Sequence, residues 1–210
     1  MATRRLKLLG GGVALALALL SSASAANTQK GVPAPRGNTQ GLALLRQVHA
    51  AYLHVPAAQT RARIGAESEH FTLVLQAGIT TAEQFVAIGP SGSIVLVARR
   101  GGPTYAREAG TTCWRRLAQS NPQTLEDVGL RFPDDYRMFV KAPRRAGAAW
   151  LLPVAGSGRY PDEKGTFTFH INANTMLVQS EVSHISGHTL TNHVKALNRA
   201  PRLTTPTPTC

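Results

Sequence analysis

Between residues 71 and 197 the chain meets a turn signal at short intervals: GPSG, RRGGP, PRRAG, GSGRYPDEKG and NANT cut it into brief apolar pieces. Connections this short hold no crossover helix, so neighbouring strands must pair antiparallel. The alternation is cleanest where Phe71, Leu73 and Leu75 share one face against Thr72 and Gln76. It is equally clean where Phe167, Phe169 and Ile171 oppose Thr166, Thr168 and His170. A period of two places each set on one side of a sheet. Further strands are expected at 82–88, 92–99, 111–117, 135–142, 148–154, 176–185 and 189–197. The pattern predicts a mainly β domain whose strands follow one another as a meander, and both a sandwich and an open barrel fit it.

Two helices accompany the strands. From Gly41 to Val55, Leu44, Leu45, Val48, Tyr52 and Val55 recur at three- and four-residue steps, and Pro56 ends the run. That spacing predicts an amphipathic helix laid on the sheet. At 120–129, Asn121 suits a cap, Pro122 the first helical position and Gly129 the end, which predicts a short mid-chain helix. The mainly β chain is therefore α+β in detail.

Residues 1–26 read as a secretory leader: Arg4, Arg5 and Lys7 precede an apolar run from Val13 to Leu20, and Ala23 and Ala25 form a cleavage motif. The run is too short to span a bilayer, which takes about 20 apolar residues. No cysteine near the cleavage point offers a lipid anchor, so an exported, unanchored protein is expected, in the periplasm, on the cell wall or free. Residues 27–40 read as a flexible tether, 41–198 as one domain and 199–210 as a Pro/Thr-rich tail. In an oxidising compartment two cysteines are expected to be joined, and Cys113 with Cys210 would tie the tail to the sheet. A bond between chains through Cys210 is the rival reading. The formal net charge of +12 points to anionic surfaces rather than nucleic acid, because no aromatic residues interleave with the basic pairs. Arg99 with Arg100, and Arg144 with Arg145, read as turn tips able to meet such a surface.

No catalytic set stands out. GPSGS at 89–93 has the wrong order for a nucleophile elbow, and Glu126–Asp127 and Asp134–Asp135 are chain neighbours that do not converge on a substrate. His184, His188 and His193 lack a nearby cysteine or carboxylate to complete a metal set, and His49, His54 and His70 read as boundary or exposed positions. No enzyme, cofactor or metal is expected.

The order of leader, tether, helix, strands, mid-chain helix and closing strands, with the phrases SIVLVARRGGPTYAREAGTTCWRRL and FTFHINANTMLVQSEV, resembles the LolA/LppX-like group of bacterial lipoprotein and lipid carriers. The resemblance implies one strongly curved half-barrel sheet with its concave side covered by the helices. It also implies a cavity for acyl chains, lined by Phe71, Leu73, Leu75, Phe85, Phe139, Phe167, Phe169 and Ile171, and a lipid or acylated protein as partner. The same residues would equally make a close-packed core with no cavity. The other functional reading is an envelope module that grips an anionic polymer or protein through its arginine turns.

Overall fold

The computed structural model describes residues 36–64, 66–117, 137–157, 164–185, 187–207 and 210. In chain order these form β1 (Arg36–Gly37), α1 (Thr39–Tyr52), β2 (Ala57–Ile64), β3 (Glu67–Gln76), β4 (Ile79–Gly89), β5 (Gly92–Arg99) and β6 (Tyr105–Glu108). There follow β7 (Arg115–Arg116), β8 (Arg137–Val140), β9 (Arg144–Ala146), β10 (Ala149–Ser157), β11 (Lys164–Asn172), β12 (Val178–Ile185) and β13 (His188–Leu197). All belong to a single sheet ordered β1-β8-β10-β11-β12-β13-β2-β3-β4-β5-β6-β7, with β9 paired to β10. It consists of two meanders, joined where β13 lies antiparallel against β2 and His193 faces Arg61. The two ends of the order, β1 and β7, are not neighbours, so the sheet is open and curved rather than closed. The short connections make the sheet antiparallel as expected, except that β1 runs parallel to β8. The helix and the whole first meander separate those two strands in the chain, so no tight turn dictates their direction.

The helix begins before Gly41. Asn38 caps it, its Oδ1 accepting from the amides of Gln40 at 3.0 Å and Gly41 at 3.1 Å, and this satisfies donors that a first turn leaves open. The described fold thus starts at Arg36, inside the stretch expected to be tether. Leu44, Leu45, Val48 and Tyr52 bury the apolar stripe against Leu73, Leu152, Val154, Phe169 and Ile171. Burial of each such side chain contributes about 1.5–3 kcal/mol. The register puts these partners on one face of the sheet: Leu73 pairs with Ala58, Phe169 with Leu152, and Ile171 with Trp150. That face is the inner, concave one.

Gly41 sets how closely the helix approaches β8. A Cβ there would collide with the Lys141 carbonyl and lie 2.7 Å from Val140 Cγ1. Alanine is the better helix former by about 1 kcal/mol, yet Gly41→Ala is expected to destabilise by about 1–3 kcal/mol because the added methyl overpacks the contact. Chemical denaturation of the two proteins checks this.

The strands β2, β6 and β9 lie where no strand was expected. In β2 the inner face carries Ala58, Thr60 and Ala62, none of them a large apolar side chain that would mark a buried face by alternation. They suit a strand at the middle of the sheet, since Ala58 is fully buried in the core that the helix completes. The predicted helix at 120–129 lies outside the described residues.

Beyond β13 the tail crosses the outer face. Arg99 donates from Nε to Thr205 Oγ1 at 2.7 Å and from Nη2 to the Leu203 carbonyl at 2.6 Å. Leu197, Ala57, Val74, Ala82 and Arg99 form one cross-strand row on that face. Four strand spacings amount to about 19 Å, and the stretch from Leu197 to Leu203 reaches about 20 Å when extended. The tail is therefore long enough to follow that row when nearly straight, and Ala57 and Ala82 in it are buried. Cys113 and Cys210 are joined by a disulfide with their Cα atoms 5.4 Å apart. The bond is within one chain. Beside it Arg107 stacks over Trp114 at 4.9 Å, so this tryptophan sits at the rim of the sheet.

Candidate functional site

Strand register sorts the expected lining residues. Leu73, Leu75, Phe85, Phe169 and Ile171 lie on the inner face and are buried. Leu73, Leu75, Phe169 and Ile171 belong to the packed cluster under the helix. Phe71 and Phe167 are on the same face but only half-buried. Phe71 meets Phe85 with ring centroids 4.6 Å apart, and Phe167 stacks near Phe169 at 6.3 Å. Phe139 does not join them. It pairs with Ala155 between the inward-facing Met138 and Val140, so it points outward and is 55% exposed. The run Met138-Phe139-Val140 is apolar throughout, and its sequence does not mark which residues face in.

The inner face therefore has two parts. Under α1 it is close-packed core. Farther along the strands, Phe71, Ile94, Leu96, Phe167 and Leu190 are half-buried on the inner face: Phe71 and Leu96 share a row through Phe85, Phe167 and Leu190 share one through Ser183, and Ile94 lies in the row of Ala87 and Glu69. Polar groups are set among them. Thr60 and Asn192, on the adjacent strands β2 and β13, are 1% and 8% exposed, and Thr60 Oγ1 and Asn192 Oδ1 have no hydrogen-bond partner among the described residues. Glu69 lies in the same row as Asn192, separated from it by Ala62. Burial raises the Glu69 carboxyl above its ordinary value, and Glu67 adds to the rise. On the helix, burial pushes the Tyr52 phenol up to about 12.

The rise at Glu69 carries a sign. A carboxyl whose folded pKa exceeds its unfolded value keeps its proton longer in the folded state, so folding loses stability as pH climbs through that interval. For Glu69 the interval opens at the ordinary value of 4.5. Glu69→Gln is expected to leave stability unchanged below that pH and to raise it at neutral pH, which thermal melts at acid and neutral pH measure.

Ile94, Leu96, Leu190, Thr60, Asn192 and Glu69 were not singled out from the sequence. Glu69 continues the alternation of Phe71 and Leu73 and was legible there. Thr60 and Asn192 come together through the pairing of β2 with β13, strands far apart in the chain, which periodicity does not give, and Ile94 and Leu96 lie in a run that is apolar on both faces.

The arginines of both pairs are exposed, and Arg99, Arg100 and Arg145 make contacts within the chain. Arg99 holds the tail, and Arg100 donates from Nε to the Thr80 carbonyl at 2.8 Å. Arg144 and Arg145 lie on β9, where Arg145 donates to the Gly147 carbonyl at 2.9 Å and stacks over Trp150 at 5.2 Å. Among the described residues no group of three His, Cys, Asp or Glu side chains is placed to hold a metal. His184 Nδ1 is paired with Thr189 Oγ1 at 2.8 Å. No helix among the described residues is long and apolar enough to cross a membrane.

No protein-family model and no curated protein matches the chain. Among solved structures it is similar to LprF from Mycobacterium bovis, at 11% identity and a TM-score of 0.46, over 82% of this chain and 99% of that one. It is also similar to the hypothetical protein CT021 from Chlamydia trachomatis, at 9% identity and a TM-score of 0.42, over 75% of this chain and 97% of that one. A third is the MucA/MucB complex of Pseudomonas aeruginosa, at 12% identity and a TM-score of 0.34, over 76% of this chain and 58% of that one. Likenesses this remote bring no ligand or partner with them. Its own open curved sheet, with the last strand beside β2 and one helix across the concave face, is a half-barrel.

Proposed function

We propose that the protein is an exported, non-enzymatic binding protein whose ligand is the acyl chain of a lipid or of an acylated protein, held on the inner face beyond the helix. The observation that carries this reading is the set of half-buried apolar side chains there, Phe71, Ile94, Leu96, Phe167 and Leu190, on a face whose other part is closed by α1. Apolar surface that the fold leaves partly open is what an acyl chain covers with a gain in free energy. Export agrees with the leader read at residues 1–26 and with the disulfide, since such bonds persist in oxidising compartments. The reading through Arg99 and Arg100 as anion-binding turns is weaker, because both are engaged within the chain.

The test is titration with a fluorescent fatty acid. Saturable binding is expected that persists at high salt, as apolar contacts do. Placing one charge in the acyl path with Phe71→Asp or Phe167→Asp is expected to weaken it by at least tenfold, roughly 1.4 kcal/mol. Binding that is absent, or unchanged in both variants with the fold intact, contradicts the proposal.

A further inference from the structure

The two faces of the sheet differ in charge. Every acidic residue on the described strands, Glu67, Glu69, Glu83, Glu108 and Glu181, falls on the inner face by register: Glu69 opposite Ala62, Glu83 opposite Leu73, Glu181 opposite Phe169, and Glu108 opposite Ile94. The outer face of β13, β2 and β3 carries cations and neutral donors instead. One row across five strands reads His170, Ser180, His193, Arg61, His70. Lys195 stands in the row beside it, opposite Gln59, and Arg61, His193 and Lys195 are exposed. A shallow depression of about 210 Å³ lies among Gln59, Arg61, His193, Val194 and Lys195. The tail is held at Arg99 while Arg61, His193 and Lys195 stay exposed, and it carries the further exposed cations Arg199 and Arg202.

We infer that this outer face docks the protein on a membrane surface bearing anionic phospholipid head groups. The cations are spread over a broad sheet face rather than gathered in a deep pocket, and the phosphates of a bilayer present the complementary broad array. Within the Arg61 row and the adjacent Lys195–Gln59 positions there is no Phe, Tyr or Trp, the large rings on which sugars and bases stack best, which favours head groups over an anionic polysaccharide or nucleic acid. At the margin, Ile88 is on the same outer face, opposite Ser68, and is 49% exposed. Its side chain is placed to enter the head-group layer once charge has brought the face close. The docking surface stands apart from acyl binding: it can hold while the inner face binds nothing, and the reverse is also true.

Co-sedimentation with vesicles tests it. The purified protein is expected to sediment with vesicles containing phosphatidylglycerol, much less with pure phosphatidylcholine vesicles, and to be released by salt. The exposed pair Arg61→Gln/Lys195→Gln is expected to weaken binding by about 30-fold, at about fivefold per basic residue removed. Ile88→Ser is expected to weaken it further without changing its salt dependence. The control Arg46→Gln/Lys141→Gln removes the same charge from exposed positions on α1 and beyond β8, and is expected to bind like the parent. Equal binding to neutral vesicles, equal loss in the control pair, or binding of soluble polyphosphate without binding of vesicles overturns the inference.

Discussion

Leu73→Ala is expected to destabilise the protein by about 3–5 kcal/mol, while Thr72→Ala, one residue earlier on the same strand, is expected to change stability by less than about 1 kcal/mol. The difference follows from the side each residue faces. Leu73 is fully buried between Ala58 on β2 and Glu83 on β4, beneath the helix stripe, whereas Thr72 lies on the outer face opposite Gln59 and Gln84. Truncation of Leu73 leaves a cavity bounded by strands on either side that cannot collapse into it, so the cavity cost adds to the lost transfer free energy. Equilibrium denaturation of both variants checks the prediction. Equal small losses would mean that the inner face at Leu73 is not packed core.

Removing the disulfide is the second large effect. Cys113→Ser/Cys210→Ser opens a loop with a sequence separation of 97. Chain-entropy arguments give about 4.7 kcal/mol for closing a loop near this length, and native bridges typically contribute about 2–4 kcal/mol. The lower range is expected here, because Cys210 ends a tail that Arg99 already holds at Leu203 and Thr205. The same change is expected to free the tail: trypsin should cut at Arg199 or Arg202 faster in the serine variant than in the oxidised parent. A variant with unaltered stability and unaltered cleavage would show that Arg99 and packing hold the tail without the bridge.

The sequence made the strands of strong alternation legible. Phe71, Leu73 and Leu75 keep a common face in β3 despite a register shift between Val74 and Leu75, and Phe167, Phe169 and Ile171 do so in β11. The helix stripe of Leu44, Leu45, Val48 and Tyr52 was equally plain, because four large side chains at helical spacing have no other common face. β2 was not legible: its inner positions Ala58, Thr60 and Ala62 include no large apolar side chain to mark a buried face, and Ala58 lies in the core under the helix. Nor was the join of β13 to β2, which sets Asn192 opposite Ala62 and Val194 opposite Thr60. Pairing between strands this far apart in the chain depends on the whole sheet order and leaves no local signature. The arginine pairs show a related limit. Their positions near turns were readable, but the groups they engage, a tail carbonyl for Arg99 and the Trp150 ring for Arg145, come from other parts of the chain.

The central claim is that the inner face carries an acyl ligand, and native mass spectrometry of the protein purified from its own host, followed by organic extraction, tests it most directly. A bound acyl lipid at near one per chain is expected, displaced or lost in Phe71→Asp. A ligand-free mass that stays unchanged after incubation with host lipids, in a protein that remains folded, would contradict it.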